Sequence, residues 1–139
     1  TEGRRFPWGD DEDFRSRAVS SVPMSIAGQS SRNGVATVGS RRAGATPEGI
    51  FDLAGNVLEW TADMYGNYDS AAATDPTGSS NIISAPGQSV PGRVVRGWRV
   101  DANIHVSWRS FRGSWRAERN PSDRSDTLGF RVAWPKVRI

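Results

Sequence analysis

The densest run of apolar side chains lies between Ile50 and Tyr65, where Phe51, Leu53, Val57, Leu58 and Trp60 surround a Gly55-Asn56 pair. Apolar residues on both sides of a turn dipeptide predict a turn and a short strand packed in the core. Two further segments, residues 93–97 (RVVRG) and 129–134 (GFRVAW), mix basic and apolar residues as half-buried strands do. They are expected to be neighbours in one sheet, pairing around Val94 and Val132. Between them Trp98 to Leu128 shows no sustained helical or strand period, and Trp108, Phe111 and Trp115 are its only large anchors. An excursion of that length without regular structure points to function.

The remaining stretches read as connections. Phe6-Pro7-Trp8-Gly9 is a turn signal and Asp10 to Asp13 an acidic, solvated loop. Residues 21–49 are rich in Ser, Gly and Arg, with one β-like stretch at Val35 to Val38, and residues 66–92 form a long loop holding the tight-turn tetrad Asp75-Pro76-Thr77-Gly78. With 139 residues, 15 Gly, 8 Pro and 13 aromatic side chains (6 Trp, 5 Phe, 2 Tyr), the chain suits one loop-rich domain knotted by aromatics.

Charge alters the picture in one respect. Residues 1–92 carry 7 Arg against 11 acids, and residues 93–139 carry 10 Arg and Lys136 against 4 acids, so the last third is the basic face. Trp108, Phe111 and Trp115 among Arg109, Arg112 and Arg116 have the composition of a nucleic-acid surface. Arginine stacking on tryptophan and pairing with local carboxylates accounts for the same residues, so nucleic acid is disfavoured as a partner. Zero cysteine excludes disulfides, thiolate metal sites and cysteine nucleophiles. No apolar run approaches the ~20 residues of a membrane-spanning helix. No targeting signal is legible, and cytoplasm and bacterial cell surface both stay open.

Three blocks in order resemble the sulfatase-modifying-factor family, also called formylglycine-generating-enzyme-type. They are Arg5-Phe6-Pro7-Trp8-Gly9-Asp10, the block from Gly49 to Thr61 (GIFDLAGNVLEWT), and Arg93-Val94-Val95-Arg96-Gly97 through Leu128-Gly129-Phe130-Arg131-Val132. The middle block is close to the family's GLYDMAGNVWEWT signature. The resemblance spans nearly the whole chain and implies an α+β, irregular, loop-rich C-type-lectin-like fold with short antiparallel strands. Domains of this family usually begin well before the PWG turn. Residues 1–139 are therefore read as the C-terminal part of a single domain, its N-terminal half an expected partner.

The family's oxidases use a cysteine pair in the region matching Asp101 to Trp108. Neither cysteine is present, so a Cu(I) thiolate site cannot form, no copper is expected, and the chain is read as a non-enzyme. The resemblance also implies a structural calcium site, with Asp52 and Glu59 side chains and the carbonyls of Gly55 and Val57 as ligands. Two carboxylates around a Gly-Asn turn suit an oxygen-ligand cage. The same carboxylates equally suit pairing with arginine or capping the turn.

Some lectin-like domains of this type are the variable proteins of diversity-generating retroelements, whose adenine-directed mutagenesis rewrites the segment corresponding to 98–128. Asp101 to Ser107, Ser122-Asp123 and Ser125-Asp126-Thr127 contain only residues reachable from an AAC codon in that way, whereas Trp108, Trp115 and Glu118 fall outside the set. The family's GGSW after the arginine is shortened here to Gly97-Trp98. The expectation is a binding module displaying residues 98–127 to a protein or peptide ligand. Its candidate contact residues are Asp101, Asn103, His105, Ser107, Phe111, Ser114, Asp123, Ser125, Asp126 and Thr127, with Trp98, Trp108 and Trp115 as framework. His105, the sole histidine, has no Ser, Asp or metal partner spaced to use it and is read as a bystander to any chemistry. The alternatives are a divergent metal-dependent oxidase of the family acting on a protein or thiol, and an accessory or sensory domain of a larger bacterial protein.

Overall fold

A computed structural model describes residues 3–20, 34–68, 78–79, 81–84, 86–87, 89–99 and 108–133. Its centre is a four-stranded sheet of β1 (Leu58–Met64), β2 (Arg93–Arg96), β3 (Ala117–Arg119) and β4 (Leu128–Gly129), ordered β3-β2-β1-β4. β2 runs antiparallel to both neighbours, with Trp60 opposite Val95 and Val94 opposite Glu118. β4 runs parallel to β1, with Leu58 opposite Leu128. The fold is α+β and irregular, with short strands and long connections.

Val94 and Val95 are adjacent yet both buried. Successive strand residues face opposite sides of a sheet, so β2 is covered on both faces and is not the half-buried strand its arginines suggested. Between Trp60 and Met64 the ladder with β2 shifts register at a bulge. The groups left over there are met by side chains. The Thr61 hydroxyl donates to the Val94 carbonyl at 3.2 Å and accepts from the Asp63 N–H at 3.3 Å, and Arg93 Nη1 donates to the Ala62 carbonyl at 2.8 Å. A bulge that is hydrogen-bonded in this way bends the strand without stranding buried polar groups.

The two segments expected to pair do not. They share the sheet, but β1 lies between them, and only Leu128 and Gly129 of the second segment are strand. Beyond Gly129 the chain leaves the ladder. Arg131 turns to Glu59 and to the carbonyls of Phe51 and Asp52, while Phe130 and Val132 stay exposed. The stretch at Val35 to Val38 is likewise not a strand. The Asn56 amide both accepts from the Ala36 N–H (2.9 Å) and donates to the Ala36 carbonyl (3.2 Å), standing in for a strand partner.

A second core sits beside the sheet, where Phe6, Ala18, Ala54 and Phe111 are buried with Trp8, Phe14 and Trp98 packed against them. The acidic run serves this core through both backbone and side chains. Asp13 caps the one-turn helix α1 (Phe14–Arg17), the Asp11 carbonyl accepts from the Trp8 indole at 2.9 Å, and its carboxylate pairs with Arg17 at 2.6 Å. Asp11 is held below the usual carboxylate range first by the Asp13 backbone N–H and then by Arg17. The run is exposed, as expected of a loop, and is also tied down.

The turn ahead of β1 is fixed by close approach. Gly55 has φ 96°, and a Cβ there would lie 2.6 Å from the Val19 carbonyl oxygen, too near for any side chain. The next residue, Asn56, donates its N–H to that oxygen at 2.9 Å. Asp52 and Asn56 also have positive φ (56° and 68°), a region where Asn and Asp are better tolerated than most residues.

Candidate functional site

The excursion between β2 and β4 is held by structure invisible in its periodicity. It contains a 3-10 turn at Trp108–Phe111 and the strand β3. Phe111 is fully buried and stacks on Phe14 with ring centroids 5.1 Å apart. Trp98 meets Trp115 edge to face at 5.4 Å. Gly113 is tied at both ends, its N–H donating to the Arg5 carbonyl and its carbonyl accepting from Arg96 Nη1, each at 3.0 Å. Arg116 lies over the ring of Tyr68 at 3.9 Å and of Tyr65 at 5.0 Å, joining the excursion to the chain beyond β1.

Its last part is a chain of local turns. The Asn120 side-chain oxygen accepts from the Ser122 N–H and hydroxyl, and the Asp123 N–H reaches the Asn120 carbonyl. The Ser125 hydroxyl lies 3.0 Å from that of Thr127, whose carbonyl accepts from the Leu58 N–H at 2.9 Å. Thr127 thereby starts the β1–β4 pairing, and it is 1% exposed.

The expected contact residues therefore separate. Ser114, Ser125 and Asp126 are exposed and Asp123 is half-buried. Phe111 and Thr127 are inside, which corrects their assignment as ligand contacts. Both are packing positions, because one lies in the aromatic stack and the other against β1. Asp101, Asn103, His105 and Ser107 lie outside the described residues. Trp98 and Trp115 take the framework position expected of them.

Alongside this segment runs a cleft of about 820 Å³, with Trp60, Leu128 and Phe130 as its apolar wall and Arg93, Asp123 and Arg124 among its charged groups. A smaller recess of about 210 Å³ shares Asp123, Arg124, Ser125 and Leu128 with it and adds Arg99 and Arg119. The two recesses share the wall formed by the turns before β4 and by Leu128.

The carboxylates of the 52–59 block are engaged by protein groups. Asp52 Oδ2 accepts from the Gly39 N–H at 2.7 Å. Glu59 holds Arg131 through both carboxylate oxygens, to Nε at 2.6 Å and to Nη2, and the same guanidinium donates to the carbonyls of Phe51 (2.9 Å) and Asp52 (3.2 Å). Glu59 raises the Arg131 pKa further above its ordinary value against a smaller opposing effect of burial. In this arrangement Arg131 is the cation of the block. Both Glu59 oxygens are engaged by Arg131, so a calcium ion, which takes 6–8 oxygen ligands, would have to share Glu59 with that guanidinium or displace it. Among the described residues no three His, Cys, Asp or Glu side chains converge as a metal cluster. Nothing in the periodicity singled out Arg131; its place in a strand-like GFRV run disguised it.

No helix among the described residues is long and apolar enough to cross a membrane. The chain is 26% identical over 138 residues to the formylglycine-generating enzyme of Mus musculus, covering 95% of this chain and 34% of that protein. It is 36% identical over 93 residues to the serine/threonine-protein kinase pkn1 of Chlamydia caviae, covering 64% of this chain and 13% of the kinase. Among solved structures, Treponema denticola variable protein 1 superposes with a TM-score of 0.58 at 21% identity, over 86% of this chain and 36% of that one. The chain thus spans about a third or less of the length of each relative. Residues 1–136 match the sulfatase-modifying factor enzyme 1-like domain, and the PWG turn, the buried Ala54-Gly55-Asn56 turn and the β1–β4 pairing lie where its three sequence blocks fall, so the chain belongs to that family.

Proposed function

We propose that this chain is a non-catalytic binding scaffold that displays residues 98–127 to a protein or peptide ligand, and that this segment is the one a diversity-generating retroelement rewrites. The observation that carries the reading is the division of labour within the segment. Phe111, Thr127 and the Trp98–Trp115 pair anchor it, while Ser114, Ser125 and Asp126 between and beyond the anchors face solvent. Exposed polar positions on a fixed backbone tolerate exchange, which display requires. The fold shared with the Treponema variable protein and the lack of cysteine where the family's oxidases carry their pair support the same reading.

The test has a genetic and a physical arm. The coding DNA should lie near a reverse transcriptase and an adenine-rich near-copy of codons 98–128. A surface-display library randomised at Ser114, Asp123, Ser125 and Asp126 should keep most members folded and yield binders to an arbitrary protein such as lysozyme. A library that mostly unfolds would sink the display assignment. A second reading, an accessory domain of a larger bacterial protein, is favoured by the 36% identity to a segment of the Chlamydia kinase. A kinase domain encoded in the same reading frame would select it.

A further inference from the structure

The two adjoining recesses have a chemistry of their own. Among the described residues the smaller recess is lined by Arg119 and Arg124, beside Arg99, and by one acid, Asp123. Among the described residues Arg119 and Arg124 form no salt bridge, and Arg124 Nη1 donates to the carbonyls of Pro121 (3.1 Å) and Asp123 (2.8 Å). The wide arm is different, with Trp60, Leu128 and Phe130 beside Arg93, Arg124, Asp123 and Asp126. Positive charge is thus concentrated at one end and apolar surface at the other.

The sheet register adds an independent observation. Arg93 and Arg119 are directly opposed across the β2–β3 ladder. Directly opposed residues project from the same face, and like charges so placed repel. Arg93 is directed to the Ala62 carbonyl, while among the described residues no carboxylate pairs with Arg119. An anion entering the recess would offset that repulsion and meet guanidinium donors suited to bidentate contact.

We propose that this cleft binds an acidic peptide segment, one carboxylate seated between Arg119 and Arg124 and a neighbouring aromatic or aliphatic side chain laid against Trp60 and Phe130. The proposal rests on the display reading and names the ligand class of its C-terminal edge. A peptide suits the cleft better than a nucleic acid. Asp123, which lines both recesses, can accept a hydrogen bond from a peptide N–H and repels a phosphodiester backbone.

The probes are two synthetic pools of acetylated tetrapeptide amides, each with Phe or Leu beside an invariant Glu in one pool and an invariant Gln in the other, with a thymidine decanucleotide as control. They are titrated against the ¹⁵N-labelled chain while backbone, Trp60 indole and arginine Nε–H resonances are followed. The Glu pool should give saturable shifts at Arg119, Arg124 and Trp60. The Gln pool and the Arg119→Gln variant should each bind about fivefold more weakly, the scale of an exposed ion pair. The variant should melt no lower than wild type, because the substitution removes the clash with Arg93. Equal response to Glu and Gln pools, undiminished binding by Arg119→Gln, a response to the oligonucleotide alone, or no saturable shift at the three probes would each overturn the proposal. Shifts confined to the surface around Ser114 would sink it and leave the display reading standing, whereas silence across both regions would count against both.

Discussion

Truncating Phe111 to alanine should cost the fold far more than any change at the exposed positions of the same segment. The ring is fully buried and stacked on Phe14 at 5.1 Å, inside the cluster that includes Phe6, Ala18 and Ala54. Removing a buried phenylalanine side chain costs about 3–5 kcal/mol through lost transfer energy and the cavity left behind. About 1 kcal/mol of that is the aromatic pairing itself, which Phe111→Leu would lose while keeping most of the volume. A domain with about 5–15 kcal/mol of stability would surrender a large share to Phe111→Ala. With a urea m-value of about 2 kcal/mol/M, the unfolding midpoint should fall by about 2 M. Equilibrium urea unfolding followed by tryptophan fluorescence reads this directly, with Ser114→Ala as control, expected within ~0.5 kcal/mol of wild type. A Phe111→Ala midpoint within 0.3 M or so of wild type, against the ~2 M expected, would mean that the ring is no anchor. The division between anchors and displayed residues would then fall with it.

A calcium ion at Asp52, Gly55, Val57 and Glu59 has to compete with Arg131 for Glu59, so saturating Ca²⁺ should raise the melting temperature over that in chelator, and more so in Arg131→Gln. Identical melting in calcium and chelator for both proteins would remove the site. Without calcium, Arg131→Gln should cost about 1–2 kcal/mol, a modest figure because the arginine is partly exposed and its charge screened. Glu48 is held down to about 2, first by the Thr46 hydroxyl, then by its own backbone N–H, then by Arg4. A carboxyl with a depressed pKa stabilises the fold above its ordinary value of 4.5, and that contribution is lost as pH falls through about 2. Carboxyl ¹³C NMR should find the Glu48 midpoint near 2 in wild type and shifted towards 4.5 in Thr46→Val, and an ordinary wild-type midpoint would refute the contact.

Local structure and the broad chemistry were legible in the residues themselves. The apolar block around Gly55-Asn56 had to be a buried turn leading into a strand, because its glycine and apolar residues admit little else. Val94 and Val95 had to be strand, and a chain without cysteine excluded thiolate chemistry at once. The three ordered blocks carried the family and its fold. Strand neighbours emerge only on folding, since alternation marks a strand and says nothing of its partner: β1 separates the two segments expected to pair. Folding also reveals β3 in Ala117-Glu118-Arg119, where no apolar period announces a strand, because pairing to β2 makes it one. Burial reassigned Phe111 and Thr127, whose residue types suit a loop surface and a core alike. Arg131 joins Glu59 across 72 residues, and a contact between positions so far apart exists only once the chain has folded.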